Sequence, residues 1–400
     1  MTNKRVQHNK KIDITLDSFL IYALFALLPI ERLAVMELGG FTLRPVYIIM
    51  GAILIIWPIK TRIRASYIAI CIGIAAAIIM STAFSLFPKQ SLPYAAWALF
   101  TIAFSTVFAS RLSRAPELYE KAVDAYLYSA AFWSLTAITQ WLLAFINPGL
   151  AYSYIGGIPR VQTLTLEPSY LATYLLPPLF IALFQERRIL TALIMFALLC
   201  STSRTGIVAL LVGMAIFIVI KYKHVLWQAR KRALYIVVLM LVILYPFVHV
   251  RQYMQTMGTF FVGGIMLTDK TSAIPRIQSW REAYMVFTAR PLLGVGVGAY
   301  GNAALQLGLA NIEEKRAKEH KTTNLYTEVA AEMGIIGLMA LAVWIMFPIL
   351  IHWRKPIYRP SIGILIGYLV LVVTFPLIQT WWRPYIWIPW ILAVSYGHRR

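Results

Sequence analysis

Charge is scarce in this chain, and most of it has one sign. Of 400 residues, 13% are charged, against a globular norm of about 25%. Only 16 are acidic against 37 basic, for a formal net charge of +21. So little charge alongside 60% hydrophobic residues excludes a water-soluble globule, whose hydrophobic share is about 45–50%. Disorder is excluded by the same excess, because disordered chains are poor in apolar residues. Cysteine is nearly absent. Cys71 and Cys200 each lie inside an apolar run and read as small buried hydrophobes, with no disulfide framework. No Cys/His cluster has zinc spacing.

Apolar runs are what the chain does have. Cut at charges, Pro and Gly, they fall near 17–34, 44–59, 66–86, 92–110, 122–146, 169–185, 189–202, 206–221, 233–250, 324–351, 361–379 and 384–397. A membrane helix needs about 20 apolar residues, so twelve would take about 240, which matches the hydrophobic share. The chain is read as all-α: a polytopic membrane bundle of about 12 transmembrane helices. With the N-terminus in the cytoplasm, cytoplasmic segments carry 22 Lys/Arg. The short opposite loops carry six (Arg32, Arg44, Lys89, Arg160, Arg204 and Arg383), and nine more lie in one long loop, 251–323. Basic residues are retained in the cytoplasm, so both termini are expected there, with the long loop outside. The net charge then reflects basic loops facing membrane lipids, and nucleic acid is not an expected partner. The basic N-terminus leads into a retained first span, since no cleavage site follows. Three parts result: helices 1–9 in 1–250, a long-loop subdomain in 251–323 and helices 10–12 in 324–400.

Within that loop, Pro275 to Arg290 reads as a helix with proline at its first position. Ile277, Trp280, Tyr284 and Phe287 form its apolar stripe, which would lie on the membrane surface or cap the bundle. Gly294-Val-Gly296-Val-Gly298 reads as a turn, because no helix with a ribose-binding acid follows it.

Sidedness sorts the candidate residues. His8, His224, His352 and His398 fall among cytoplasmic basic residues, and His249 ends a span. His320 stands at the outer end of the long loop. A helix reaching back that far would put His320, Asn324, Glu328 and Glu332 on one face, pointing into the bundle. Outer arginines are few. They are Arg204 in Ser201-Thr-Ser-Arg204-Thr-Gly206, Arg160 shortly before Glu167-Pro168-Ser169, and Arg276 and Arg281 on the loop helix. Guanidinium groups grip phosphate oxygens through paired hydrogen bonds and keep their charge at any working pH. Outer-side aspartate is limited to Asp269, so metal-dependent transfer has little support. Trp381-Trp382-Arg383-Pro384 reads as an interfacial aromatic belt.

Three segments carry a resemblance: Arg160 with Glu167-Pro168-Ser169, then Ser201 to Gly206, then Arg276…Trp280-Arg281…Arg290-Pro-Leu-Leu-Gly294…His320…Asn324…Glu328…Glu332-Met-Gly334-Ile-Ile-Gly337. Together, over roughly 150–340, they resemble the O-antigen ligase / O-antigen polymerase superfamily of bacterial membrane glycosyltransferases. The resemblance implies a glycan taken from undecaprenyl diphosphate at the periplasmic face of the inner membrane. It is passed to a sugar hydroxyl with inversion and without metal or cofactor. Ligases use lipid A–core as acceptor; polymerases use another lipid-linked repeat. It also implies His320 as the essential base and Arg204 and Arg276 as catalytic arginines. Many members set the histidine directly before the asparagine, whereas His320 stands four residues ahead of Asn324. The residue chemistry agrees, since neutral imidazole suits a base for a sugar hydroxyl. Arg204 and Arg276, with Arg160 and Arg281, would bind the departing diphosphate. Glu167, Asn324 and Glu328 complete the expected binding set, with Glu328 or Glu167 orienting the base or an arginine. His320, Arg204 and Arg276 are expected to share one outward-opening cavity.

The rival class is a 12-span transporter or lipid flippase. Against it, the sixth and seventh spans are joined only by Gln185-Glu186-Arg187-Arg188, and the large loop lies elsewhere. Within the enzyme class the ligase ranks above the polymerase. The chain is compact, and the basic long loop suits a phosphorylated acceptor. A monomer is expected.

Overall fold

The computed structural model describes residues 15–38, 41–60, 65–155, 157–221, 270–309, 320–353 and 359–397. The apolar run 233–250, Asp269, and His8, His224, His249 and His398 lie outside them. Among the described residues, eleven of the twelve expected runs coincide with helices. They are α1 (Leu16–Leu27), α2 (Pro45–Lys60), α3 (Ala65–Ala83), α4 (Pro88–Arg114), α5 (Pro116–Ala144), α6 (Pro168–Phe184), α7 (Arg188–Cys200) and α8 (Arg204–Lys221). After the long loop's own α9 (Lys270–Ala289) and α10 (Tyr300–Gln306) come α11 (Leu325–Trp353), α12 (Arg359–Val373) and α13 (Pro384–Gly397). α3, α4, α8 and α11 are each long and apolar enough to cross a membrane. Two antiparallel hairpins, β1 (Met36–Leu38) with β2 (Phe41–Leu43) and β3 (Ser153–Ile155) with β4 (Ile158–Arg160), are the described sheet.

Local chemistry sets many of the helix starts. α2, α4, α5, α6 and α13 all open on proline, whose missing N–H costs nothing in a first turn. α6 and α13 are buried nearly all round, which marks them as central helices. Small residues let neighbours approach. A Cβ on Gly363 or Gly367 of α12 would meet α6 at Phe184 or Pro177, and one on Gly213 of α8 would meet the Phe180 ring. Cys71 and Cys200 are free and buried.

The aromatic turn is core, not an interfacial belt. Trp381 and Trp382 are 1% and 5% exposed. Trp387 Nε1 donates to the Trp381 carbonyl at 2.9 Å, and Trp390 Nε1 to the Trp344 carbonyl at 2.9 Å. Arg383 is buried with them and ion-paired to the buried Glu31. Its guanidinium lies 3.7 Å from the centroid of the Tyr170 ring. A charge drawn into the interior by a partner 352 residues away leaves no mark in local hydropathy.

The long loop contributes a small second core. Ala283 and Val286 of α9 pack with Val295, Ala299, Tyr300, Ala303 and Ala304, and with Ala331 of α11. α9 begins five residues before the expected start, so Pro275 lies inside it. The expected stripe is not its buried face. Of that stripe Tyr284 is 64% exposed and Trp280 and Phe287 are half-buried, while Ser279, Glu282, Ala283 and Val286 are buried. α9 caps the bundle through α11.

The glycine turn docks against a break in α11. Gly334 adopts φ 64° and ψ −158° inside that helix, which frees carbonyls from the helical ladder. Val295 N–H donates to Ala331 O and Gly296 N–H to Glu332 O, both at 3.0 Å. Gly296 has φ +114°, and a Cβ there would stand 2.0 Å from Ser85 Oγ, so no other residue fits. The segments around 28–38, 84–91, 160–168, 290–300, 320–328 and 378–384 are cross-linked at one end of the bundle. Glu31 N–H donates to Leu164 O, Leu86 N–H to Val295 O and Thr380 N–H to Glu328 Oε2.

Candidate active site

The site is built where α9, α10 and the segment before α11 converge. Glu282 sits on the buried face of α9, its side chain 7% exposed, and His320 Nε2 lies 3.0 Å from its Oε2. The same Oε2 accepts the Tyr300 hydroxyl at 3.2 Å, and Oε1 accepts Gln278 Nε2 at 3.0 Å, one helical turn earlier. A carboxylate only accepts. Nε2 is therefore the donor in this contact, and in a neutral imidazole Nδ1 then carries the lone pair. The imidazole also stacks on the Tyr300 ring, with centroids 5.5 Å apart and planes 17° apart. Burial first, and the Glu282 carboxylate second, push the Tyr300 hydroxyl well above its ordinary range, so it stays a donor. His320 is 24% exposed, leaving an edge open to a reactant.

The residues after His320 are fixed one by one. Lys321 Nζ lies 4.3 Å from the centroid of the Tyr94 ring of α4. Thr322 Oγ1 is 2.9 Å from Thr327 Oγ1. Thr323 Oγ1 accepts Trp280 Nε1 at 3.2 Å. Asn324 Oδ1 accepts the backbone N–H groups of Tyr326 and Thr327 at 2.9 and 3.4 Å, the geometry of an N-cap. α11 starts at Leu325, so the helix does not extend back to His320 and the expected shared face does not form. A cap ends the helix four residues short of the histidine.

The other expected residues have definite places. Glu328 is buried and accepts Thr380 N–H at 2.6 Å. Glu167 stands just before α6 and accepts Ser169 Oγ at 3.0 Å. The carboxylate that orients the imidazole is Glu282 instead. Arg276 is half-buried on α9, six residues before Glu282, and its carbonyl accepts Ser279 Oγ at 2.9 Å. Arg281 is exposed on the same helix. Arg160 is half-buried in β4, its guanidinium 5.8 Å from the centroid of the Tyr152 ring. Arg204 is half-buried and opens α8 after a turn in which Ser203 Oγ accepts Gly206 N–H at 3.2 Å. Gly206 is pressed against Ala172 of α6. Arg204 thus belongs to the α6–α8 contact, whereas His320, Glu282 and Arg276 belong to the α9–α11 unit.

Glu282 was hidden because its helix face is polar and small-residued, so a hydrophobic stripe on another face outweighed it. The available signal was the Gln278–Glu282 spacing of one turn, with Ser279 and Val286 on the same side.

A helical membrane bundle with a buried carboxylate–imidazole pair at one end is the class that these observations define. Residues 189–342 match the O-antigen ligase family model. That match supports a likeness to the O-antigen ligase / O-antigen polymerase superfamily over this stretch. The match takes in Arg204, Arg276, Glu282, Tyr300 and His320 and leaves Arg160 and Glu167 outside. A search of the curated proteins returned no match.

Proposed function

We propose that the protein is an O-antigen ligase. It transfers a glycan from undecaprenyl diphosphate to a sugar hydroxyl of lipid A–core, at the periplasmic face of the bacterial inner membrane. The observation that carries this reading is the Glu282–His320 pair, 3.0 Å between Nε2 and Oε2. It fixes one tautomer and leaves Nδ1 as the proton acceptor. The acceptor hydroxyl gives its proton to Nδ1 as its oxygen bonds to the anomeric carbon from the face opposite the diphosphate. The old carbon–oxygen bond breaks and undecaprenyl diphosphate leaves, so the anomeric centre inverts. Glu282 stabilises the imidazolium that forms, as an acidic partner does in other base pairs of this kind.

Negative charge growing on the diphosphate calls for fixed cations. Arg276, on the helix that carries Glu282, and Arg204, at the positive end of α8, supply them, with Arg160 and Arg281 further out. No metal has a part in this scheme. The test is transfer by the purified full chain with a lipid-linked glycan, offering lipid A–core or a second lipid-linked repeat. A product with the mass of glycan plus lipid A–core is expected, and His320→Ala is expected to be inactive while still folded. Full activity of His320→Ala overturns the base, extension of the repeat identifies a polymerase, and lipid movement without a new covalent product identifies a flippase.

A further inference from the structure

Lys321, the neighbour of the base, faces the opposite way. His320 turns to Glu282 and Tyr300, on α9 and α10, while Lys321 turns to Tyr94 on α4. Two carboxylates of α11, Glu332 and Glu328, also act on its charge. They are 5% and 6% exposed and one turn apart. Two buried carboxylates at that spacing repel when both are charged, and Lys321 is a cation within their field. Burial works against its charge, but Glu332, Tyr94 and Glu328 outweigh burial and hold the ammonium above its ordinary value.

Glu332 also holds the turn that leads to Tyr300, because its backbone carbonyl accepts Gly296 N–H at 3.0 Å. Tyr300 stacks on the imidazole. Trp280 and Thr323 fasten the same segment to α9, whereas Lys321 ties it to α4 through the Tyr94 ring.

We propose that Lys321 is a positioning residue for His320, its ammonium clamping the base-bearing segment to the membrane bundle so that Nδ1 faces the acceptor hydroxyl. The proposal rests on His320 being the base. A displacement on the order of 1 Å at a reacting group can cost about 10²-fold, and the loss falls on kcat because binding of donor and acceptor is left to other residues.

The experiment measures kcat and KM for donor and acceptor with purified full chain in lipid nanodiscs, comparing wild type with His320→Ala, Lys321→Met and Lys321→Arg. Lys321→Met is expected to lose about 30-fold or more in kcat with both KM values within about threefold. Lys321→Arg is expected to recover most of that loss, and hydrogen exchange over 320–324 is expected to rise only in Lys321→Met. If His320→Ala is inactive while Lys321→Met keeps its kcat, the positioning role is overturned and the base stands. If Lys321→Arg is as slow as Lys321→Met, the charge is not what matters and the proposal is overturned. An active His320→Ala removes both readings. Should Lys321→Met fail to fold, Tyr94→Leu is expected to lower kcat about fivefold with KM unchanged, and an unchanged kcat there overturns the proposal.

Discussion

His320 Nε2 lies 3.0 Å from Glu282 Oε2, although the two residues are 38 positions apart. The partner fixes which nitrogen is free. Glu282→Ala is expected to lose about 10²-fold in kcat, the scale of a mispositioned base. Tyr300→Phe, which removes one of three donors to that carboxylate, is expected to lose less, about tenfold. Single-turnover transfer separates the two. An equal loss in both would mean that Tyr300 acts on the reactants directly.

Donor binding is expected to weaken in Arg204→Ala and Arg276→Ala, each by about tenfold or more, since a hydrogen bond to a charged group contributes about 1.5–3 kcal/mol. Titration with the lipid diphosphate measures it. Unchanged affinity in both would remove the arginines from the donor site.

Glu31 and Arg383 form a buried ion pair, their side chains 4% and 8% exposed. Removing one partner strands the other charge, so Arg383→Met is expected to cost about 3–5 kcal/mol. The double variant Glu31→Gln/Arg383→Met is expected to regain part of that loss. Thermal midpoints in detergent give the comparison.

Gly296→Ala is expected to abolish activity by forcing the turn away from Ser85 and Ser91, which a Cβ would meet at 2.0 and 2.4 Å. Gly308, at φ +65°, has nothing within 4 Å of a Cβ. There the same change is expected to cost only the strain of its backbone, about 1–2 kcal/mol. Transfer rates of the two variants test the contrast.

The pH dependence of stability is expected to carry the mark of Lys321. Its folded-state value is raised by Glu332, Tyr94 and Glu328 against the opposing effect of burial. The stabilisation is therefore complete below about pH 10.4, the unfolded value, and is lost as pH rises through the folded one. Tyr300, raised by burial and by Glu282, Glu332 and Glu328, contributes with the same sign. The difference in melting temperature between wild type and Lys321→Met is expected to be constant from pH 7 to 9 and to shrink above about pH 10.4. A constant difference to pH 11 would contradict this.

The sequence by itself determined the helices. Apolar runs of near membrane length and prolines at helix starts are local properties, and eleven runs coincide with helices, their limits shifted by up to seven residues. It also singled out Arg204, Arg276 and His320 as candidates, because arginines and histidines outside the basic cytoplasmic segments are few. Tertiary structure alone decided which carboxylate meets the imidazole, that Arg383 is buried, and that Asn324 caps a helix. The reason is physical. A polar side chain is drawn inside by a partner that satisfies it, and for Glu282 and His320, or Glu31 and Arg383, that partner is brought near only by folding. Periodicity records which face of a helix is oily; α9 buries Glu282 together with Ala283 and Val286, where the glutamate meets an imidazole and the two apolar residues join a small core.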